Sequence, residues 1–152
     1  MTVPIPEAAH DLLHDKPIGH LATLRADGRL SVNPVAVVFD GDCVRVSTTR
    51  DRVKYRNLRA DPRCAISIPQ RDNPNVYIEI RGRAELEDDA DRRFIDRIAQ
   101  LYMGQEHYDL DPPGAERVTI TIHAEQVSMP SIPLADAPPT APDAPPSGGA
   151  SG

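Results

Sequence analysis

Apolar and polar residues alternate along much of this sequence, and a period of two is typical of half-buried β-strands. The clearest case is Val118–His123, in which valine and isoleucine alternate with threonine and histidine, within a strand we expect over Arg117–Val127. A second long alternating run extends from Val76 to Leu86. Shorter apolar runs predict four further strands, at Ile18–Leu24, from Leu30 to Phe39, at Cys43–Thr48 and at Cys64–Ile68. Six strands are therefore expected.

The strand that begins at Leu30 changes its hydrophobic phase part of the way along. Leu30 and Val32 lie in one phase, whereas the apolar residues from Val35 to Phe39 lie in the other. The change falls at Asn33-Pro34, where proline cannot donate a backbone hydrogen bond to a neighbouring strand. We therefore expect a β-bulge or an interrupted sheet edge at these two residues.

Helical periodicity is confined to three segments, which interrupt the strands rather than alternate with them. Glu7–Asp15 and Asp51–Ala60 are short candidates, and Asp88–Met103 is the most strongly amphipathic, with Gly104 just past its end. This arrangement favours a mainly β protein, a six-stranded antiparallel β-barrel with peripheral helices, over a doubly wound sheet. One domain is expected over residues 1–132.

Residues 133–152 differ in composition from the rest of the chain. They contain six of the 16 prolines, together with alanine, glycine and serine, and almost no side chain that could pack in a core. Such a segment buries too little apolar surface to offset the entropy lost on ordering. We expect a disordered tail.

Composition excludes several classes of function. A formal net charge of −6 argues against a dedicated nucleic-acid-binding protein. No apolar run approaches the length of a membrane span and the N-terminus lacks the features of a signal peptide, so a cytoplasmic protein is expected. Cys43 and Cys64 lack the spacing of a metal site. His10 and His14 have the i, i+4 spacing that can bind a metal, but no cysteine lies nearby to complete a site, so surface histidines are expected. The sequence contains no hydrolase triad and no nucleotide-binding glycine motif.

Positive charge is concentrated in one stretch. Residues 50–63 contain six basic and two acidic residues, a local charge of +4, whereas the remainder of the chain carries −10. A cationic segment within an acidic protein favours the binding of an anion. The alternative is a solvated helix face, because arginine is common throughout this chain and some clustering follows from composition.

The order of residues within this stretch favours a phosphate site. The predicted strand ends in the hydroxyl residues Ser47, Thr48 and Thr49, and the predicted helix follows. A helix N-terminus offers free backbone N–H groups and the positive end of the helix dipole to a phosphate. Arg52 and Lys54 supply charge-assisted donors, and Arg56 and Arg59 extend the same helix face toward a longer anion.

Four stretches carry a resemblance to a known family: GHLATLRADGRLSVNPV (19–35), VRVSTTRDRVKYRNLRADPR (44–63), NPNVYIEIRGRAEL (73–86) and RVTITIHAEQV (117–127). The most specific is the R-x-K-x-R-N-L-R run that begins at Arg52. The chain resembles the flavin- and deazaflavin-binding split β-barrel family, which has the fold of pyridoxamine-phosphate oxidases. Within it, the chain is most similar to actinobacterial oxidoreductases that use coenzyme F420.

The resemblance implies a homodimer with two cofactor clefts between the subunits. Arg52 and Lys54 would hold the cofactor phosphate, and the hydroxyls of residues 47–49 would line the approach. Beside the deazaflavin ring we expect Asn33, Pro34 and Val35. The same resemblance makes cofactor contacts of Tyr55, Arg56 and Asn57, and of Tyr77 from the partner subunit.

Coenzyme F420, a phosphorylated deazaflavin with a polyglutamate tail, is the cofactor that the resemblance implies, and FMN is the alternative. Reduced F420 would donate a hydride to an electron-poor enone, enoate or quinone. A non-catalytic carrier of F420 or FMN would need the same cleft. No catalytic residue is identified: we expect His20 to be a structural histidine and His123 to be solvated, whereas Tyr102 and Tyr108 could cap a substrate pocket or pack with wet hydroxyls.

Overall fold

The computed structural model describes residues 1–130, which form a single curled sheet of seven antiparallel strands with three helices at its margins. The strands are β1 (Ile18–Leu24), β2 (Leu30–Ala36), β3 (Val38–Phe39), β4 (Val44–Thr49), β5 (Arg63–Pro69), β6 (Tyr77–Asp88) and β7 (Arg117–Ser128). Their spatial order is β2-β1-β5-β6-β7-β4-β3, and β2 also contacts β4 where the sheet curls back on itself. The expected split-barrel architecture is confirmed. The predicted tail, residues 133–152, lies outside the described residues.

The seventh strand arises from a break that the sequence analysis placed wrongly. β1 and β2 pair without any register shift from Ile18↔Ala36 to Leu24↔Leu30, so the bulge expected at Asn33-Pro34 is absent from this pairing. Proline is tolerated there because β2 is an edge strand. The break falls instead at Val37, whose N–H turns to the carbonyl oxygen of Pro17 (3.2 Å) and the hydroxyl of Tyr102 (3.0 Å).

Side chains alternate between the two faces along the whole of β2 without interruption. The apolar residues lie on the outer face in its first half and on the inner face further along. Leu30 and Val32 lie on the outer face and are 72% and 63% exposed, whereas Val35 lies on the inner face and is buried. Two residues on from Val35, Val37 is buried as well. The strand therefore has apolar residues on both faces at different points along its length, and the outer ones are largely exposed.

The core fills the concave side of the sheet. Its fully buried side chains come from β1, β4, β5, β6 and β7 and include Leu21, Val46, Ile66, Ile80 and Ile120. Helices α1 (His10–His14) and α2 (Val53–Ala60) close the core, with Leu13 and Leu58 buried against the strands. Burial of a side chain of this size stabilises a fold by about 1.5–3 kcal/mol, so the alternation read from the sequence is the main source of stability.

One bulge interrupts the longest strand pairing of the sheet, between β6 and β7. The β6–β7 register shifts between Arg81 and Gly82, and a Cβ atom at Gly82 would overlap the carbonyl oxygen of His123. Only glycine allows the two backbones to approach so closely.

The helices are shorter than the sequence pattern predicted. Helix α1 follows a 3₁₀ turn at Glu7–Ala9, and α2 begins at Val53 instead of Asp51. The third helix, α3, spans Arg93–Met103 because β6 continues to Asp88 and the Asp89 carboxylate then accepts the N–H groups of the first helical turn. Gly104 ends α3 at φ 66°, as expected. None of the helices in residues 1–130 has the length and apolar character of a membrane span.

Candidate anion-binding site

The basic stretch forms the turn between β4 and α2, as the sequence predicts. Arg52 occupies the N-cap position of α2, no side chain caps the helix, and no acidic residue lies in its first turn. The N–H of Arg52 donates to the carbonyl oxygen of Thr49 at 3.1 Å and so closes the turn. The first N–H groups of α2 thus remain available, at the positive end of the helix dipole, to a bound anion.

Ion pairing divides the six basic residues of this stretch into two groups. Arg50 pairs with Asp88 (2.6 Å) and Glu116 (3.6 Å), and Arg63 pairs with Asp61 (2.7 Å). The other four have no acidic partner within 4 Å in the described part of the chain; they are Arg52, Lys54, Arg56 and Arg59. In a chain of net charge −6, four neighbouring cations without an ion-pair partner among the described residues are the feature that an anionic ligand would complete.

Lys54 is the most constrained of these cations. Its side chain is half-buried, and burial, together with the neighbouring Arg52, lowers the pKa of its ammonium group below the usual value. Both causes disfavour the charged form, and the described residues provide no carboxylate within 4 Å to offset them. A phosphate placed between Arg52 and Lys54 would stabilise both charges.

The three hydroxyl residues at the end of β4 have different environments. Ser47 accepts a hydrogen bond from Arg117 (3.3 Å), and Thr49 donates to the Asp51 carboxylate (2.5 Å). Thr48 is 3% exposed, and its Oγ1 is the one buried side-chain polar atom without a hydrogen-bond partner in residues 1–130. An orphaned hydroxyl two residues before Arg50 fits a site that a further polar group completes.

Tyr55 and Asn57, also predicted as cofactor contacts, turn toward the sheet. Both are buried, and the Asn57 amide donates to the hydroxyl of Thr23 at 3.0 Å. This bond ties α2 to β1 and so fixes the helix that presents the cations. Arg56 is exposed and lines a cavity of about 370 Å³ beside the β1–β2 turn. Contact between the cofactor and these side chains stays a prediction.

A larger cavity of about 630 Å³ separates the basic turn from the loop before β7. The loop is held by Arg117 and Asp111, which form a double hydrogen bond (2.7 and 2.5 Å) and are each only about one-tenth exposed. Tyr108 packs on the same guanidinium, with its ring centroid 4.7 Å away. The sequence analysis missed this pair, because neither residue stands out in a motif and only the fold brings Ser47, Asp111 and Arg117 together.

The segment predicted to lie beside the ring is on the edge strand β2. Pro34 is exposed, Asn33 is half-buried and Val35 faces the core. Since β2 pairs only with β1 among the described strands, its other edge leaves backbone groups without a strand partner. These free groups follow from the position of β2 at the end of the sheet and not from the interruption that the sequence analysis expected at Asn33-Pro34.

Other candidate residues differ from expectation. His20 is exposed on the outer face, and its imidazole has no hydrogen-bond partner in residues 1–130. The expectation of a structural histidine is therefore wrong. His123 is half-buried and bonds to Glu85 (2.7 Å), because the outer faces of β6 and β7 bring the two side chains together; it is not simply solvated. Tyr77 is half-buried at the start of β6.

The hydroxyl of Tyr102 is hydrogen-bonded to protein groups and is not solvated. Its oxygen lies 2.6 Å from the carbonyl oxygens of Pro17 and Val37 and accepts the Val37 N–H, and burial raises its pKa to about 12. It joins α3 to the start of β1. His10 and His14 pack against Phe39, with ring centroids 5.0 and 5.5 Å away.

Comparison with known proteins shows a family and several solved structures that this chain resembles. A family model described as pyridoxamine 5'-phosphate oxidase matches residues 5–129. A solved structure named F420 reductase is 35% identical, with a TM-score of 0.71, and the match covers 82% of this chain and 98% of that one. General stress protein 26 of Bacillus anthracis (20%, TM-score 0.62, covering 81% and 91%) and the conserved hypothetical protein Rv2991 of Mycobacterium tuberculosis (23%, 0.64, 84% and 85%) share the fold alone.

Proposed function

Because this chain belongs to the pyridoxamine 5'-phosphate oxidase family, we propose that it binds a phosphorylated redox heterocycle, coenzyme F420, and acts as an F420-dependent oxidoreductase. Membership of the family supports a flavin or deazaflavin as the class of cofactor. The choice of F420 is supported by the 35% identity to a protein named F420 reductase over nearly the whole of that protein.

The observation that carries the proposal is the pair of uncompensated cations Arg52 and Lys54 at the open N-terminus of α2. Backbone N–H groups, a guanidinium and a half-buried ammonium converge on one turn, and none of the described carboxylates lies within 4 Å of the two cations. This donor set fits a phosphate.

The cations along α2 favour F420, which has a polyanionic tail, over FMN. Arg56 and Arg59 follow Arg52 on successive turns of α2, are exposed, and have no acidic partner within 4 Å in residues 1–130. FMN carries one phosphate and leaves these two cations without a ligand, whereas the glutamates of the F420 tail supply further carboxylates along the same helix face. FMN remains the second candidate, and a non-catalytic cofactor carrier of the same fold the third.

When bound in its reduced form, F420 supplies a hydride, and an electron-poor double bond such as that of an enone, enoate or quinone accepts this hydride together with a proton. The protein binds and orients the cofactor and the acceptor, and it excludes water from them. Arg52 and Lys54 would anchor the phosphate, Asn57 would keep α2 in place through Thr23, and edge strand β2 would offer backbone groups to the heterocycle. No side chain is assigned as the proton donor.

A homodimer is part of the proposal, and the outer face of β1 and β2 supports it. Leu30 and Val32 are exposed on this face, and their register partners Leu24 and Ala22 continue the apolar surface. A second copy that covered this face would remove an apolar patch from water. A contact of Tyr77 with the partner's cofactor belongs to the same proposal.

The test is a direct comparison of cofactors. Purified protein is titrated with F420 and with FMN, and binding is followed by the fluorescence of each chromophore. The protein with reduced F420 is then offered a panel of enones, enoates and quinones. Binding of F420 in preference to FMN, with oxidation of reduced F420 by an acceptor, is expected. Tight binding of FMN without F420 would select the flavin alternative, and binding without turnover would select the carrier.

A further inference from the structure

A second cationic cavity lies away from the basic turn. It has a volume of about 500 Å³ and is formed by the start of β1, the end of β5 and the loop between β5 and β6. Its wall combines apolar surface from Pro17, Pro69 and Pro74 with the polar side chains of Lys16 and Arg71. A pocket with one apolar side and a few convergent donors is the usual form of a site for a small organic ligand.

The charge of this cavity is unbalanced. Its lining contains no aspartate or glutamate, and neither Lys16 nor Arg71 has an acidic partner within 4 Å in residues 1–130. The imidazole of His20, which also lines it, has no hydrogen-bond partner in that part of the chain. By contrast, the larger cavity beside the basic turn has Asp111 and Glu116 in its wall. A cavity whose charged side chains are both cationic, in a chain of net charge −6, favours an anionic ligand.

The walls of the cavity are held in place by hydrogen bonds. The carbonyl oxygen of Pro17 receives the N–H of Val37, and the Tyr102 hydroxyl, which lines the cavity, lies 2.6 Å from the same oxygen. Lys16, immediately before it, has the left-handed φ of 46°, which non-glycine residues seldom adopt. On the opposite wall, the N–H of Gln70 donates to the carbonyl oxygen of Val76 at 2.7 Å. A site built in advance loses little entropy when a ligand binds.

The position of the cavity relates it to the proposed cofactor. His20 is the register partner of Pro34 in the β1–β2 pairing. The backbones of partner residues in antiparallel strands lie about 5 Å apart. A ligand beside His20 would therefore lie one strand away from the Asn33–Val35 segment that we expect next to the deazaflavin ring.

We propose that this cavity is a carboxylate-binding site in which Lys16 and Arg71 hold the anion. An unsaturated carboxylic acid would place its carboxylate between the two cations and its hydrocarbon part on the proline surface. The same chemistry could come from the glutamyl tail of the cofactor. The assignment of the acid as substrate rests on the proposed function, whereas the binding of a carboxylate does not.

The test measures binding without cofactor. The full chain is titrated with trans-cinnamate and with its neutral amide, cinnamamide, by NMR and calorimetry. Each charge-assisted contact is expected to change affinity about tenfold or more, so cinnamate should bind at least tenfold more tightly than the amide, and more weakly at high salt. Arg71→Ala and Lys16→Gln should each lower cinnamate affinity about tenfold. Arg29→Ala, at an exposed arginine outside the cavity, should leave it unchanged.

A second arm identifies the source of the carboxylate. F420 with one glutamate and F420 with several are titrated into wild type and Arg71→Ala. A loss of affinity only for the longer tail would assign the cavity to the tail, whereas equal F420 affinities together with lost cinnamate binding would assign it to a substrate. Equal affinities for cinnamate and cinnamamide, with no effect of Arg71→Ala on either form of F420, would overturn the proposal. Failure of F420 to bind the wild type would refute the proposed function but not the carboxylate site.

Discussion

Asp111 and Arg117 form a double hydrogen bond, 2.7 and 2.5 Å long, in which both side chains are about nine-tenths buried. Removing one charge of such a pair leaves the other buried without compensation, which costs about 3–5 kcal/mol. We expect Asp111→Asn to lower the free energy of unfolding by this amount, measured by chemical denaturation. Asp88→Asn, at the exposed partner of Arg50, should lower it by no more than about 1 kcal/mol.

The same pair predicts a pH dependence. The hydrogen bond from Arg117 holds the pKa of Asp111 below its usual value. The resulting stabilisation is therefore complete above the pKa of the unfolded chain, about 3.9, and is lost as the pH falls through the lower pKa of the folded state. Unfolding midpoints of wild type and Asp111→Asn should differ most near pH 7 and converge toward pH 2. A constant difference over this range would contradict the assignment.

The cations of the basic turn should determine cofactor affinity but not folding. Each charge-assisted contact with a phosphate contributes about 1.5–3 kcal/mol, so the double variant Arg52→Ala, Lys54→Ala should bind F420 at least about a hundredfold more weakly. The thermal midpoint should barely change, because neither residue has an ion pair to lose within residues 1–130. Arg63→Ala, in the same stretch but paired with Asp61, is the matched control and should retain affinity. Wild-type affinity in the double variant would place the phosphate elsewhere.

The outer face of β2 predicts the oligomeric state. Val32→Glu puts a charge in the centre of the apolar patch, and in a symmetric dimer two such charges would face an apolar surface. We expect sedimentation to show a dimer for the wild type and a monomer for Val32→Glu, with an unchanged circular dichroism spectrum. Leu110→Glu, at an equally exposed leucine outside this face, should stay dimeric. A monomeric wild type would leave the patch without the proposed role.

Two buried threonines should respond oppositely to the same substitution. Thr23 accepts the Asn57 amide, so Thr23→Val leaves that amide unsatisfied and should cost about 1–3 kcal/mol. Thr48 has no partner for its hydroxyl, so Thr48→Val removes an unsatisfied group and should leave the free energy of unfolding unchanged or raise it by about 1 kcal/mol. If the Thr48 hydroxyl contacts the cofactor, as predicted, Thr48→Val should also weaken F420 binding. Equal destabilisation by both variants would show that Thr48 has a partner in solution.

Local patterns in the sequence determined the secondary structure of much of this protein and the position of its basic turn. The alternation at Val118–His123 and Val76–Leu86 indicates strands because the side-chain period of a strand is set by its own backbone. The charge of residues 50–63, and their position between a strand and a helix, are equally local. The sequence was therefore sufficient for the mainly β class and for the location of the basic turn.

Only the tertiary structure decided which charged residues have ion-pair partners and which apolar residues are buried. Arg50 and Arg52 are alike in sequence, but the fold brings Asp88 to Arg50 and no carboxylate within 4 Å of Arg52 in residues 1–130. Leu30 and Val35 are both apolar strand residues, yet one faces outward and the other inward. Pairing and burial depend on residues distant in sequence, which no local period reports. For the same reason the Asp111–Arg117 pair and the cavity beside Arg71 became visible only in the folded chain.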